Sequence, residues 1–274
     1  MNRLVSLAHL TALSLAPPDL IRLAAGTGYD AVGLRLIGVT PDTASYPLHL
    51  DRPMFRETRR ALSDTGLKLL DIEFLRLEPN TDPSAFAAAL EAGAELGATQ
   101  ALLAAYDPEE SRLSDNVAAI AEIARPLGIG VNLEFYPWTV VANLADAVRV
   151  IDRSGAENAG VLVDALHLAR SGTTLEELEL QPASRFRYLH LCDAEADHPG
   201  SLEGLLKAAR AERLPPGEGG LDLEGFLRVM PADIPVALEV PMQARSALEG
   251  ELAIARECRN ATENLVNRLS SSGD

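Results

Sequence analysis

Short runs rich in Leu, Val and Ala alternate along the chain with longer stretches in which apolar residues recur at helical spacing, a pattern that predicts repeated βα units around a parallel sheet. Eight such runs are present, at residues 4–8, 31–36, 68–75, 98–104, 130–135, 160–164, 186–192 and 234–240. Eight is the number of strands that closes a single (β/α)8 TIM barrel, an α/β fold. The signals between the runs agree. Pro17-Pro18-Asp19 opens a helix with Leu20, Leu23 and Ala24 on one side, and Gly26 or Gly28 ends it. Asp82-Pro83 repeats the start signal before 84–96, an Ala-, Leu- and Glu-rich run stopped by Gly97 and expected as an outer helix packed on the barrel. Residues 143–151 predict an amphipathic helix with Gly155 beyond it, and a last long helix is expected over 246–269.

The chain has 274 residues, enough for one barrel of ~250 or for two smaller domains. No Pro/Gly/Ser-rich linker, charge block or low-complexity segment interrupts the alternation, so one domain over 1–269 with a flexible C-terminal tail at 270–274 is expected. The longest irregular regions, 38–51 and 193–220, follow the second and seventh runs, on the face where a barrel carries its active site.

With 47% hydrophobic and 23% charged residues the chain has the composition of a globular protein and not of a disordered one. Its 24 Lys and Arg against 40 Asp and Glu leave a formal charge of −16, which opposes nucleic acid and anionic membranes as partners. Cys192 and Cys258 form neither a CxxC pair nor a disulfide framework. The first nine residues lack the apolar core of a signal peptide, and no run of ~18 apolar residues offers a membrane span. A soluble cytoplasmic protein is expected.

Barrel strands are buried on both faces, so an ionisable residue at their C-terminal ends is costly unless it lines a polar pocket or binds a cation. Four adjacent runs end this way, with Glu134, Asp164, His190 and Glu239. Singly, each is equally well a buried polar group satisfied by a hydrogen bond or an ion pair. Together, three carboxylates and one imidazole make an oxygen-rich site with one nitrogen, suited to one divalent ion such as Mn2+, Mg2+, Co2+ or Zn2+.

The order Glu, Asp, His, Glu on strands five to eight, with separations of 30, 26 and 49 residues, resembles the sugar phosphate isomerase/epimerase group of xylose isomerase-like TIM barrels. The resemblance spans essentially the whole chain. Its most specific pieces are Asn132-Leu133-Glu134-Phe135, Asp164-Ala165-Leu166-His167, Leu189-His190-Leu191-Cys192-Asp193, Pro216-Gly217-Glu218-Gly219-Gly220 and Leu238-Glu239-Val240-Pro241. It implies an isomerase or epimerase of carbohydrate metabolism in which one divalent cation, held by Glu134, Asp164, His190 and Glu239, chelates the carbonyl and adjacent hydroxyl of a sugar-like substrate. Proton transfer would pass through an enediolate whose oxygens stay on the metal, with Glu134 and Glu239 as general base and acid. His167 would touch a substrate hydroxyl or orient a metal ligand. Barrels of this group often associate into homo-oligomers through outer helices and loops, although no surface motif here is diagnostic.

Departures from the group narrow the expectation. Ketohexose 3-epimerases carry a further Glu six residues after the strand-five Glu and an Arg six residues after the strand-seven His, both gripping the sugar; here Val140 and Ala196 stand there. Arg35 and Glu73 on the second and third strands offer a substitute, either contacting substrate or forming a buried ion pair without catalytic duty. His9, at the end of strand one, together with Tyr136 and Trp138 would shape the pocket wall, though the last two serve equally as loop packing. Gly217-Glu218-Gly219-Gly220 carries an acid in place of the Lys of a phosphate loop, so no phosphorylated substrate is implied.

Three other functions compete. A metal-dependent dehydratase of a cyclic polyhydroxy ketone, of the inosose or dehydroshikimate type, would share the enolisation. A barrel of this kind could also bind a small molecule without turning it over. An apurinic endonuclease resembles the chain in Glu, Asp-x-x-His, His and Glu but needs further ligands, and no Asp-x-His follows His190; Asp197 and His198 are adjacent.

Overall fold

The computed structural model describes residues 3–40 and 43–271. Eight parallel strands close into a barrel in chain order: β1 (Val5–Leu7), β2 (Ala31–Arg35), β3 (Lys68–Leu77), β4 (Gln100–Ala105), β5 (Gly130–Glu134), β6 (Ala159–Asp164), β7 (Leu189–Leu191) and β8 (Val236–Leu238). β1 seals the barrel against β8 with Ser6 opposite Ala237 and Leu7 opposite Leu238. Every strand overlaps a run expected from the hydrophobic pattern. β7 is shorter than its run because the chain leaves the sheet at Asp193, which pairs antiparallel with Leu214.

Around the sheet stand α1 (Pro17–Gly26), α2 (Arg52–Thr65), α3 (Ala87–Glu95), α4 (Glu110–Ala124), α5 (Leu144–Ser154), α6 (Ala165–Ser171), α7 (Leu175–Glu179), α8 (Leu202–Ala211), α9 (Leu223–Val229), α10 (Gln243–Glu249) and α11 (Glu251–Ser271). Several start where a side-chain oxygen takes an otherwise unpaired backbone N–H of the first turn: Asp51 accepts from Met54, Asn143 from Asp146, Ser201 from Gly204 and Asp222 from Gly225. Buried apolar residues fall into two sets. A large one fills the space between sheet and helices, including Leu34, Ile72, Leu103 and Val161. A small one, with Ala31, Leu102, Leu162, Tyr188 and Ala237, packs the lower barrel interior.

Three expectations shift. The helix expected over 84–96 begins as a 3-10 turn at Pro83–Phe86, and α3 takes over at Ala87. The irregular stretch 193–220 contains α8, ten residues whose Ser201 cap precedes an amphipathic run. The last helix is two: α10 ends at Gly250, whose φ of +85° lies where side chains with a Cβ are strained, and α11 restarts at once. α11 also continues through Ser271, past the tail boundary at 269, while 272–274 lie outside the described residues. No helix among the described residues is long and apolar enough to cross a membrane.

The break between α10 and α11 is testable. Gly250 combines φ +85° with ψ 151°, backbone space that is nearly restricted to glycine. Gly250→Ala is expected to cost about 1–3 kcal/mol in denaturant unfolding. An unchanged or raised stability would mean that one continuous helix is compatible with the fold.

Candidate metal centre

β5, β6 and β7 deliver Glu134, Asp164 and His190 at or next to their last residues, and Glu239 follows the end of β8. Parallel register sets Asp164 beside His190, while Glu134 stands opposite Leu162 and Glu239 two residues past Ala237, the partner of His190. One ligand-type atom from each lies within 4.8 Å of all the others, and all four residues are buried. His190 Nδ1 sits 3.5 Å from Glu134 Oε1, 3.9 Å from Asp164 Oδ2 and 3.7 Å from Glu239 Oε2. Four donors at ~2.1 Å from a common centre would stand about 3.4 Å apart in a tetrahedron, so the set is a slightly expanded coordination shell. Glu134 Oε1 and both ring nitrogens of His190 are buried without a hydrogen-bond partner. These orphaned atoms, together with the Asp164 and Glu239 carboxylates that converge on the same point, fit a divalent cation.

Charge is concentrated there. Burial pulls the His190 pKa down, but Glu239, Glu134 and Asp164 outweigh it and push it to about 10. Asp164 is held near about 2: burial opposes ionisation, and Arg213, His167 and His190 more than offset it. Glu239, beside the same guanidinium, goes the other way, to about 7, because burial and the negative charges of Glu134 and Glu73 prevail. The difference has a local cause. Asp164 has His167 beside it as well as Arg213 and His190, whereas Glu239 faces the negative charges of Glu134 and Glu73; Asp164 Oδ1 also caps α6, accepting the backbone N–H groups of Leu166 and His167 at 2.9 and 3.1 Å.

The arginine in this arrangement escaped the sequence. Arg213 is among the largest fully buried side chains, and its Nη1 donates to Asp164 Oδ2 at 2.5 Å while Nη2 pairs with Glu239 Oε2 at 2.9 Å. It stands 23 residues after His190, following α8, and not at the sixth position, where Ala196 is exposed. What places it is Asp193. This carboxylate accepts N–H groups from Ala194, Gly217 and Leu221, and its backbone pairs with Leu214, so the chain after Arg213 is laced to the end of β7. Gly219 is required by this lacing, since a Cβ there would lie 2.3 Å from the Ala194 carbonyl oxygen and 2.4 Å from Asp193 Oδ1. The glycine-rich loop thus serves the buried arginine.

Tyr136 has a second unanticipated contact. Its buried hydroxyl donates to Glu134 Oε2, the oxygen turned away from His190. Above the four ligand-type residues lies a cavity of about 270 Å³. Phe74, Tyr106, Tyr136 and Trp138 form an apolar wall, and Arg35, Glu134, His167, Arg213 and Glu239 a polar one. His167 packs edge-on to Tyr136 and Trp138, with Nε2 4.0 Å from Glu134 Oε1.

The remaining sequence-selected residues sit differently. Arg35 reaches the cavity and is paired with buried Glu73 at 2.5 Å, so that Glu73 stands behind the wall, where it also accepts the His9 backbone N–H. His9 is fully buried outside the cavity lining: Nδ1 accepts from the Arg35 backbone, Nε2 donates to the Leu15 carbonyl, and the ring stacks on Tyr46. Both nitrogens are spent inside the protein. Val140 and Ala196 are exposed on loops.

The fold and site can now be set against known proteins. A family model described as a xylose isomerase-like TIM barrel matches residues 21–260. An inosose isomerase of Halalkalibacterium halodurans is 29% identical over 113 residues, 40% of this chain and 38% of that protein. A 3-dehydroshikimate dehydratase of Pseudomonas aeruginosa is 28% identical over 246 residues, 84% of this chain and 37% of that one. The matched part is therefore 38% of the first of these proteins and 37% of the second. Among solved structures, the IolI protein with a bound zinc atom superposes with a TM-score of 0.81 at 21% identity, covering 97% of this chain and 98% of that one, a likeness of fold.

His9 makes a pH prediction. Burial lowers its pKa from 6.5 to about 4, so between these values the unfolded chain binds a proton that the folded one refuses. The contribution is complete above about pH 6.5 and drains away as pH falls towards 4, on the order of 3 kcal/mol in all. Denaturant unfolding from pH 7 to 4 should show this slope, and His9→Asn should flatten it; parallel pH profiles of the two proteins would contradict a neutral buried imidazole.

Proposed function

Because the chain belongs to the xylose isomerase-like TIM barrel family, we propose that it is a divalent-metal-dependent isomerase or epimerase of a small sugar-like keto/hydroxy substrate, acting by proton transfer beside a carbonyl. The supporting observation is the delivery of Glu134, Asp164, His190 and Glu239 from four neighbouring strands to one buried point under a cavity. A divalent ion held by these residues, whether Mn2+, Mg2+, Co2+ or Zn2+, would polarise a carbonyl and an adjacent hydroxyl.

The side chains divide the remaining work. Glu134 and Glu239 face the cavity from β5 and β8, so that one removes the α-proton and the other returns it from a different direction. Tyr136 holds the Glu134 carboxylate in place through Oε2, leaving Oε1 turned to the centre. His167 presents its imidazole to the cavity beside Glu134 and is suited to hydrogen-bond a substrate hydroxyl. Arg35, paired with Glu73, offers further donors to the cavity. The aromatic wall excludes water from the reacting carbons and stacks on the apolar face of a polyol ring.

A dehydratase of a cyclic polyhydroxy ketone is the second reading. It is favoured by the 84% of this chain that aligns with the Pseudomonas dehydratase. The first proton abstraction is common to both; in dehydration a β-hydroxyl then leaves with its bonding electrons and a proton supplied by an acid at the site.

Incubation with keto-sugars, keto-acids and cyclic ketones in D2O with added Mn2+ is expected to give deuterium incorporation that chelation abolishes. Glu239→Gln should slow exchange by about 100-fold or more. Exchange undiminished in that variant would remove Glu239 as acid or base, and a purified chain that takes up no divalent ion would sink the metal-dependent reading. Growth of a conjugated-enone ultraviolet band alongside exchange would select the dehydratase.

A further inference from the structure

The four ligand-type residues bring three carboxylates and one imidazole, and Arg213 adds a single fixed cation against two of those carboxylates. Main-chain groups hold it as well. Nε donates to the Ala209 carbonyl at 2.9 Å, near the end of α8, and Nη1 to the Glu239 carbonyl at 3.0 Å, after β8. Main-chain acceptors from two elements therefore aim the guanidinium fork, and its side chain is 1% exposed. The neighbouring Arg35 is paired separately, with Glu73.

Counting only the centre, and with His190 deprotonated as a metal ligand must be, three negative charges less one leave two, the charge of a divalent ion. We propose that Arg213 is a positioning residue that trims the centre to this balance, sharing the oxygens of Asp164 and Glu239 so that a divalent ion is held less tightly and stays more electron-poor than three unshared carboxylates would make it. The inference rests on the metal-dependent reading above. Its physical basis is that an oxygen accepting a charged hydrogen bond has less electron density to donate, and that a fixed cation a few ångströms away repels a second one. A purely structural arginine would act in the opposite sense, because losing it would let the ligands scatter and weaken binding.

The sign of the affinity change separates these roles. Metal-free wild type, Arg213→Met and Arg213→Lys would be titrated with Mn2+ at pH 8, with the free ion followed by electron paramagnetic resonance. Arg213→Met, similar in length but uncharged, is expected to bind at least about tenfold tighter than wild type, and Arg213→Lys, which keeps the charge, within about threefold. Thermal melting should show a larger Mn2+-induced rise for Arg213→Met, since the ion then relieves an otherwise uncompensated carboxylate pair. Binding by Arg213→Met that is equal to wild type or weaker overturns the proposal. Should that variant not fold, the Lys variant decides: affinity within threefold sustains the proposal, and any greater loss overturns it. Wild type that binds no Mn2+ would instead overturn the metal-dependent reading itself.

Discussion

Three buried carboxylates pointing at one spot are the constraint to which the upper half of this barrel answers. Glu134, Asp164 and Glu239 would repel one another strongly in so little water, and each group around them reduces that cost. His190 is drawn towards its charged form, Arg213 bridges two of the three, Tyr136 donates to the third, and the first turn of α6 donates to Asp164. A divalent cation at this spot would take the place of the His190 proton in the same pattern. Barrel geometry makes the convergence attainable, because the C-terminal ends of all the parallel strands open on one face.

Most of the fold was legible because buried strands leave short apolar runs and outer helices leave longer amphipathic ones, two periods that do not imitate each other here. The eight strands and the strand-end placement of the four ligand-type residues follow from that alone. What the pattern conceals is a change in backbone state without a change in hydrophobicity. The stretch 246–269 reads as one helix, since Gly250 is a weak signal amid good helix formers, yet its φ of +85° ends α10. In 84–96 the Ala-rich composition masks the 3-10 start imposed by Asp82-Pro83.

The site was legible where chemistry coincides with a strand end and illegible where it comes from a loop. Arg213 lies in Ala211-Glu212-Arg213-Leu214, a local sequence that would suit any surface turn, and only the lacing around Asp193 turns it inward. The available clue was Asp193 itself, a carboxylate directly after a buried strand and ahead of a glycine-rich loop. Tyr136 is similar: two residues beyond Glu134 it reads as packing, and its hydroxyl contact depends on the turn that follows β5. For His9 the sequence suggested a pocket residue because of its strand-end position, whereas its two nitrogens are claimed by Arg35 and Leu15. Strand-end placement thus identifies candidates, and competition from backbone groups decides which of them remain available to a ligand.

Arg213 lies 49 residues after Asp164 and 26 before Glu239 along the chain. On a ribosome, Glu134, Asp164 and His190 therefore emerge with no counter-charge, and Glu239 arrives on the strand that closes the cylinder against β1. A nascent chain stopped before β8 would carry an open sheet edge and an Arg213 with only one of its two carboxylate partners, so the segment that closes the cylinder also completes the ion-pair bridge.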